Sequence, residues 1–165
     1  MNKVHEELIE RIRGEVPDLD RLVNRALHAW SRAQISPDEE EIYVDSLALN
    51  LHGFYSGLER LFELIARHLD QHIPDGEMWH RHLLKQMAQD RPKVRPAVIC
   101  HDTVVALDQL RRFRHLVRNV YTFNLAPDKI KPLITNLESL WNQVKAELLA
   151  FADFLEEAIR TEKGN

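Results

Sequence analysis

Residues 111–125 read RRFRHLVRNVYTFNL, and the first eleven of them include Arg111, Arg112, Arg114, His115, Arg118, Asn119 and Tyr121. Guanidinium groups grip phosphate or carboxylate through paired N–H donors, imidazole exchanges a proton near neutral pH, and a phenol accepts a transferred group. Together these are the groups of phosphate recognition and proton transfer. At about 100° per helical residue, Arg111, Arg114, Arg118 and Tyr121 fall within about 80° of one another, and His115 and Asn119 occupy the adjoining strip. Val104, Leu107, Leu110, Val117 and Val120 of the same helix are available for the core. The arginine strip therefore borders the buried face, with Arg114 near the seam.

An arginine at such a border is partly desolvated and requires an anion, either a carboxylate from another helix or a phosphate from outside. Asp108 reaches Arg112 at i+4, whereas Arg111, Arg114 and Arg118 have no local partner of that kind. Two readings stand side by side. In one, the arginines pair with a carboxylate such as Glu59 or Asp45 and staple helices together. In the other, Arg111, Arg114 and Arg118 form a phosphate-binding face, with His115 and Tyr121 placed for chemistry. Tyr55 and Glu59, four residues apart, are expected to face the strip, Glu59 as counter-ion to one of its arginines.

Other chemistry-bearing residues weigh less. His68 and His72, followed by His80 and His82, include pairs at helical spacing, but no Glu-x-x-His pattern accompanies them in the long helices. Hydrogen-bonded or solvated histidines are favoured over a metal site, and no metal or other cofactor is expected. Trp30, Trp79 and Trp141 each sit on an apolar stripe and read as core anchors. The acidic run at 38–41 reads as a helix start facing the dipole.

The elements that must position these residues are helices. Residues 3–34 carry apolar positions at helical spacing, but Gly14 and Pro17 interrupt them, so a kinked helix or two short ones are expected. Ser36, Pro37 and Glu39 give a start signal for a helix running to about residue 71. Its stripe is Ile42, Leu47, Leu51, Phe54, Leu58, Leu61, Phe62, Ile65 and Leu69. Gly53 and Gly57, one turn apart within it, point to close helix packing. A turn at 73–76 precedes a short helix carrying Trp79, Leu83, Leu84 and Met87. RPKVRP at 91–96 then breaks the chain before a helix from about 97 to 122, ended by NLAP. The last helix is expected over 128–161, with Ile130, Leu133, Leu137, Leu140, Trp141, Val144, Leu148, Phe151, Leu155 and Ile159 in near-heptad spacing. The expected fold is all-α: an antiparallel up-and-down four-helix bundle with a short extra helix.

Composition agrees. A chain of 165 residues with 44% apolar content can fill one core, so a single domain spanning 1–165 is expected. Five glycines and seven prolines, with abundant leucine, alanine and glutamate, suit helices rather than sheets. A net charge of −4 gives no overall pull toward nucleic acid or anionic lipid, so any anion site must be local. The lone Cys100 rules out an intrachain disulfide and fits a reducing compartment. Neither a signal-type leader nor a membrane-length apolar run is present, so a cytoplasmic protein without membrane contact is expected.

FRHLVRNVY, together with LNLHGFYSGLERLFELIARHLD at 49–70 and WHRHLL at 79–84, resembles the HepT-like branch of the HEPN superfamily, over about residues 38–160. The resemblance implies a homodimeric helical bundle whose motif helices form a cleft that cuts RNA, not DNA, without metal. It also implies a toxin neutralised when a cognate nucleotidyltransferase antitoxin attaches AMP to a tyrosine. Carried over by position, the motif arginine is Arg114, the polar residue after it His115, and the AMP acceptor Tyr121. The family histidine falls on Asn119, whose amide hydrogen-bonds but cannot act as a general base. His115 is then the motif's candidate base, with Arg118 as a further clamp. The alternative is a catalytically inactive HEPN module that binds nucleotide or partner beside a minimal nucleotidyltransferase.

Overall fold

The computed structural model describes the backbone of residues 1–119 and 127–164, and the side chains of all of these except 116–119. Six α-helices run through it: α1 (Asn2–Ile35), α2 (Glu40–Ile65), α3 (Trp79–Met87), α4 (His101–Asn119), α5 (Pro127–Thr135) and α6 (Leu137–Lys163). The described residues contain no β-strand, only an isolated antiparallel bridge between Arg91 and Arg95. The four long helices close a ring: α1 packs on α2 and α6, and α4 packs on the same two from the other side. The all-α bundle read from the sequence is the architecture observed, with two short helices rather than one.

The divided helix is the last, not the first. α1 continues through Pro17 without a break. Proline inside a helix costs about 3 kcal/mol, but Ile12, Val16, Leu19, Val23 and Ala26 are buried along one face on either side of it. Packing of that face outweighs one missing backbone hydrogen bond. The single helix expected over 128–161 instead breaks at Asn136. Pro132 lies inside α5, one turn before the break, and the side chains of Thr135 and Asn136 turn back onto the carbonyls of Lys131 and Pro132, at 2.7 and 3.2 Å.

The second helix covers the expected span in three pieces. Pro37–Glu39 forms a 3-10 turn, α2 follows, and Ala66–Asp70 closes as a wider π-type turn ending at Gln71, whose φ is +52°. Ser36 makes no side-chain capping bond. Ile42, expected in the buried stripe, is 69% exposed: it lies inside α2, five residues before Leu47, and so about 140° round the helix from it. The remainder of the stripe is buried, with Leu69 partly so. At Gly57 an added Cβ would lie 2.8 Å from Leu19 Cδ2, and at Gly53 3.5 Å from Leu22 Cδ1, so α1 approaches α2 closely at the glycine pair. Trp141 is buried, meets Phe54 edge-on at 5.5 Å, and donates its indole N–H to Asp20 at 2.5 Å. Trp30 and Trp79 pack on the core while partly buried.

Two polar devices fix the position of α4. The Asp70 carboxylate, fully buried at the end of the π turn, receives Nε and Nη2 of buried Arg95 at 2.7 Å each and Nε2 of Gln86 at 2.6 Å. The remaining Arg95 donors reach the carbonyls of Gln86, Gln89 and Pro96. This ties the 91–96 turn to the ends of α2 and α3. At the start of α4, the Glu147 carboxylate of α6 accepts the backbone N–H of Cys100, and Thr103 Oγ1 donates to it at 2.5 Å. A carboxylate from another helix thus caps the positive end of the motif helix.

Candidate functional site

α4 presents its apolar residues, Val104, Leu107, Leu110 and Phe113, to the core. Phe113 is a core residue that the sequence pattern did not single out. The arginines border this face as the wheel requires, but their partners differ from the local rule. Asp108 receives Arg112 Nε at 3.0 Å, as expected, and also Arg111 Nε at 2.7 Å. Arg111 therefore does have a local carboxylate, at i−3 rather than i+4; the two arginines reach one carboxylate from adjoining positions of the helix.

Arg114 reaches across to α2. Its Nη1 donates to Glu59 Oε1 at 2.7 Å, and its guanidinium carbon lies 5.8 Å from the centre of the Tyr55 ring. Of the two carboxylates considered from sequence, Glu59 is the one that meets the strip; Asp45 is exposed elsewhere on α2. The Glu59 side chain is 6% exposed and that of Arg114 15%, and Arg114 Nε is buried with no hydrogen-bond partner. A desolvated pair of this kind fixes orientation more than it stabilises.

The second oxygen of Glu59 is also used. His80 Nδ1 lies 2.6 Å from Glu59 Oε2, and the imidazole stacks on Trp79 with ring centres 3.6 Å apart. One buried carboxylate thus holds both the motif arginine and a histidine of α3. No sequence spacing announces this contact, since Glu59, His80 and Arg114 belong to three helices. Burial, with the Glu59 charge adding to it, raises the Tyr55 hydroxyl far above the ordinary phenol range, against the opposing pull of Arg111 and Arg114. Tyr55 is therefore a neutral floor to the site.

His115 follows Arg114 and is exposed at the surface of α4. Arg118 and Asn119 complete the last described turn of the helix backbone. Their side chains, Tyr121, and the expected helix end near residue 122 lie outside the described residues. Among the described residues, no group of three or more His, Cys, Asp or Glu side chains is arranged to hold a metal ion. No helix among them is long and apolar enough to cross a membrane.

No curated protein and no solved structure matches the chain. A family comparison does: residues 46–155 match the family described as HepT-like protein. The match takes in all of α3, α4 and α5, most of α2 and α6, and with them Tyr55, Glu59, His80, Arg111, Arg114 and His115. It covers two thirds of the sequence, and the fold is the helical bundle such a protein requires, so the chain belongs to the HepT-like family.

Proposed function

We propose that this protein is the metal-independent endoribonuclease toxin of a HepT-type toxin–antitoxin pair. It acts as a homodimer and is neutralised when a cognate nucleotidyltransferase places AMP on Tyr121. The observation that carries the reading is the pairing of Arg114 with Glu59 at the rim of the core, with His115 exposed in the next position. A preset guanidinium beside an accessible imidazole provides a phosphate clamp and a proton carrier in adjacent positions of one helix.

The chemistry is attack of a ribose 2′-oxygen on the adjacent phosphorus. A base removes the 2′-hydroxyl proton, the 2′-oxygen–phosphorus bond forms, and the bond to the 5′-oxygen breaks as an acid protonates that oxygen. Two copies of His115 supply base and acid, and two copies of Arg114, assisted by Arg118, hold the charge that gathers on the phosphate. DNA lacks the attacking hydroxyl and is not cut. In the neutralising step, the Tyr121 oxygen attacks the α-phosphorus of ATP and pyrophosphate leaves. Reading the segment as a single domain in a cytoplasmic protein belongs to this proposal.

A second reading draws on a specific feature. Asn119 stands where the family histidine falls, and Arg114 is already bound within its own chain. Both suit a module that binds nucleotide or its nucleotidyltransferase without cutting RNA. Purified protein incubated with RNA in EDTA separates the two. Cleavage that disappears in His115→Ala supports the enzyme; intact RNA with retained binding of the nucleotidyltransferase supports the module. Intact-mass measurement after incubation with that partner and ATP tests the acceptor. A gain of one AMP that is absent in Tyr121→Phe is expected, and an adduct that persists in that variant rules Tyr121 out.

A further inference from the structure

We propose that His80 is a catalytic proton-transfer residue of this site, supplying an imidazole that the Arg114–Tyr121 segment lacks at Asn119. The inference rests on the ribonuclease reading above and names a residue outside the motif helix.

A carboxylate can only accept a hydrogen bond, so the 2.6 Å contact between Glu59 Oε2 and His80 Nδ1 places the imidazole proton on Nδ1. That leaves the Nε2 lone pair as the basic position of the neutral ring. Such a pairing, carboxylate to one nitrogen and substrate to the other, is how proteins fix a histidine for proton transfer. The same carboxylate holds Arg114 Nη1 through Oε1 at 2.7 Å. The imidazole and the phosphate clamp are therefore both held by the two oxygens of a single carboxylate. The Trp79 ring stacked on the imidazole restricts rotation about the side chain. His80 is 26% exposed, so a substrate hydroxyl can approach it, whereas Glu59 behind it is buried.

Tyr55 of α2 is coupled electrostatically to Glu59 and to Asp108, Arg111 and Arg114 of α4. Asp108 is occupied by Arg111 and Arg112. Glu59 is thus the carboxylate that orients the imidazole. With His80 taking the 2′-hydroxyl proton, His115 is left to protonate the departing 5′-oxygen; His80 is joined to Arg114 through Glu59, and His115 follows Arg114 in the chain.

The test uses full-length protein with an end-labelled, mixed-sequence single-stranded RNA in EDTA. It compares wild type with His80→Gln, which keeps an N–H donor for Glu59, and with His80→Ala. Thermal melts establish that the variants are folded. Both are expected to lose cleavage by about a hundredfold or more, the scale of a general base, and added imidazole is expected to restore part of the rate in His80→Ala. Folded variants that cleave like the wild type overturn the proposal and leave the ribonuclease reading standing. Loss of cleavage that imidazole does not restore in folded His80→Ala also overturns it, because the role is then structural. A wild-type protein that leaves the RNA intact overturns the ribonuclease reading itself, and the role of His80 falls with it.

Discussion

Removing the carboxylate of Glu59 tests the electrostatic centre of the site most directly. In Glu59→Leu, two hydrogen bonds disappear, one of 2.7 Å to Arg114 and one of 2.6 Å to His80. A guanidinium only 15% exposed is left without a counter-ion, next to an Nε that is already unpartnered. Breaking a fully buried pair from one side costs about 3–5 kcal/mol, and the residual exposure of Arg114 and His80 reduces this to about 3 kcal/mol. For a chain of this length each kcal/mol corresponds to about 2–4 °C, so the midpoint should fall by about 6–12 °C. Urea titrations followed by far-UV circular dichroism, run beside thermal melts, measure both quantities. Adding Arg114→Met should recover most of the loss, because the stranded charge is then gone and its volume is kept. A single variant within about 1 kcal/mol of wild type, or a double variant less stable than the single one, would show that the pair is solvated and refute the reasoning.

The two glycines of α2 should respond in opposite directions. Gly53→Ala gains helix propensity with ordinary contact to Leu22 and should stabilise by about 0.5–1 kcal/mol, whereas Gly57→Ala drives a methyl to 2.8 Å from buried Leu19 and should destabilise by about 1–2 kcal/mol. Thermal melts that rank Gly57→Ala above Gly53→Ala would contradict this packing. Asp20 gives a pH signature. The indole N–H of Trp141 is the main cause holding its carboxyl below the ordinary range; burial opposes the shift and Lys145 assists it. A depressed value means that the stabilisation is present above the ordinary carboxylate range and disappears as pH falls through the folded value. The difference between wild type and Asp20→Asn should therefore be full at neutral pH and begin to shrink only as the pH falls below about 4. Urea titrations across pH check it, and a gap that widens on acidification would count against it.

How far the sequence could be read depended on whether an interaction was periodic or singular. Leu47, Leu51, Phe54, Leu58, Leu61 and Ile65 repeat at helical spacing, and all are buried where the repeat puts them. Pro17 and Pro132 look alike as local signals, yet one helix runs through and the other chain segment breaks soon after. The difference lies in tertiary packing on one side and in the side chains of Thr135 and Asn136 on the other, and neither is a property of proline itself. Ile42 is exposed because five residues, about 140° on the helix, separate it from Leu47, a spacing that leaves the buried face. Within the site, Arg114 at the seam and Glu59 as an available counter-ion followed from the wheel and from spacing. That Glu59 would choose Arg114, and would hold His80 with its other oxygen, depends on how three helices meet, which no one-dimensional pattern encodes. The i+4 rule alone leaves Arg111 without a partner, whereas its carboxylate, Asp108, stands three residues before it.

The carboxylate of Glu147 at the start of α4 has a mechanical consequence. It grips the helix at Cys100 and Thr103, and Glu59 grips it again at Arg114. At 1.5 Å per residue these anchor points lie about 20 Å apart along the axis. A rod clamped at two separated points can neither slide along its length nor roll about it, so the azimuth of α4 between Thr103 and Arg114 is set at both ends. Loosening the far clamp with Glu147→Gln would therefore turn the arginine strip relative to α2 without altering any residue of the strip, and a lesion in α6 would act as a defect in alignment.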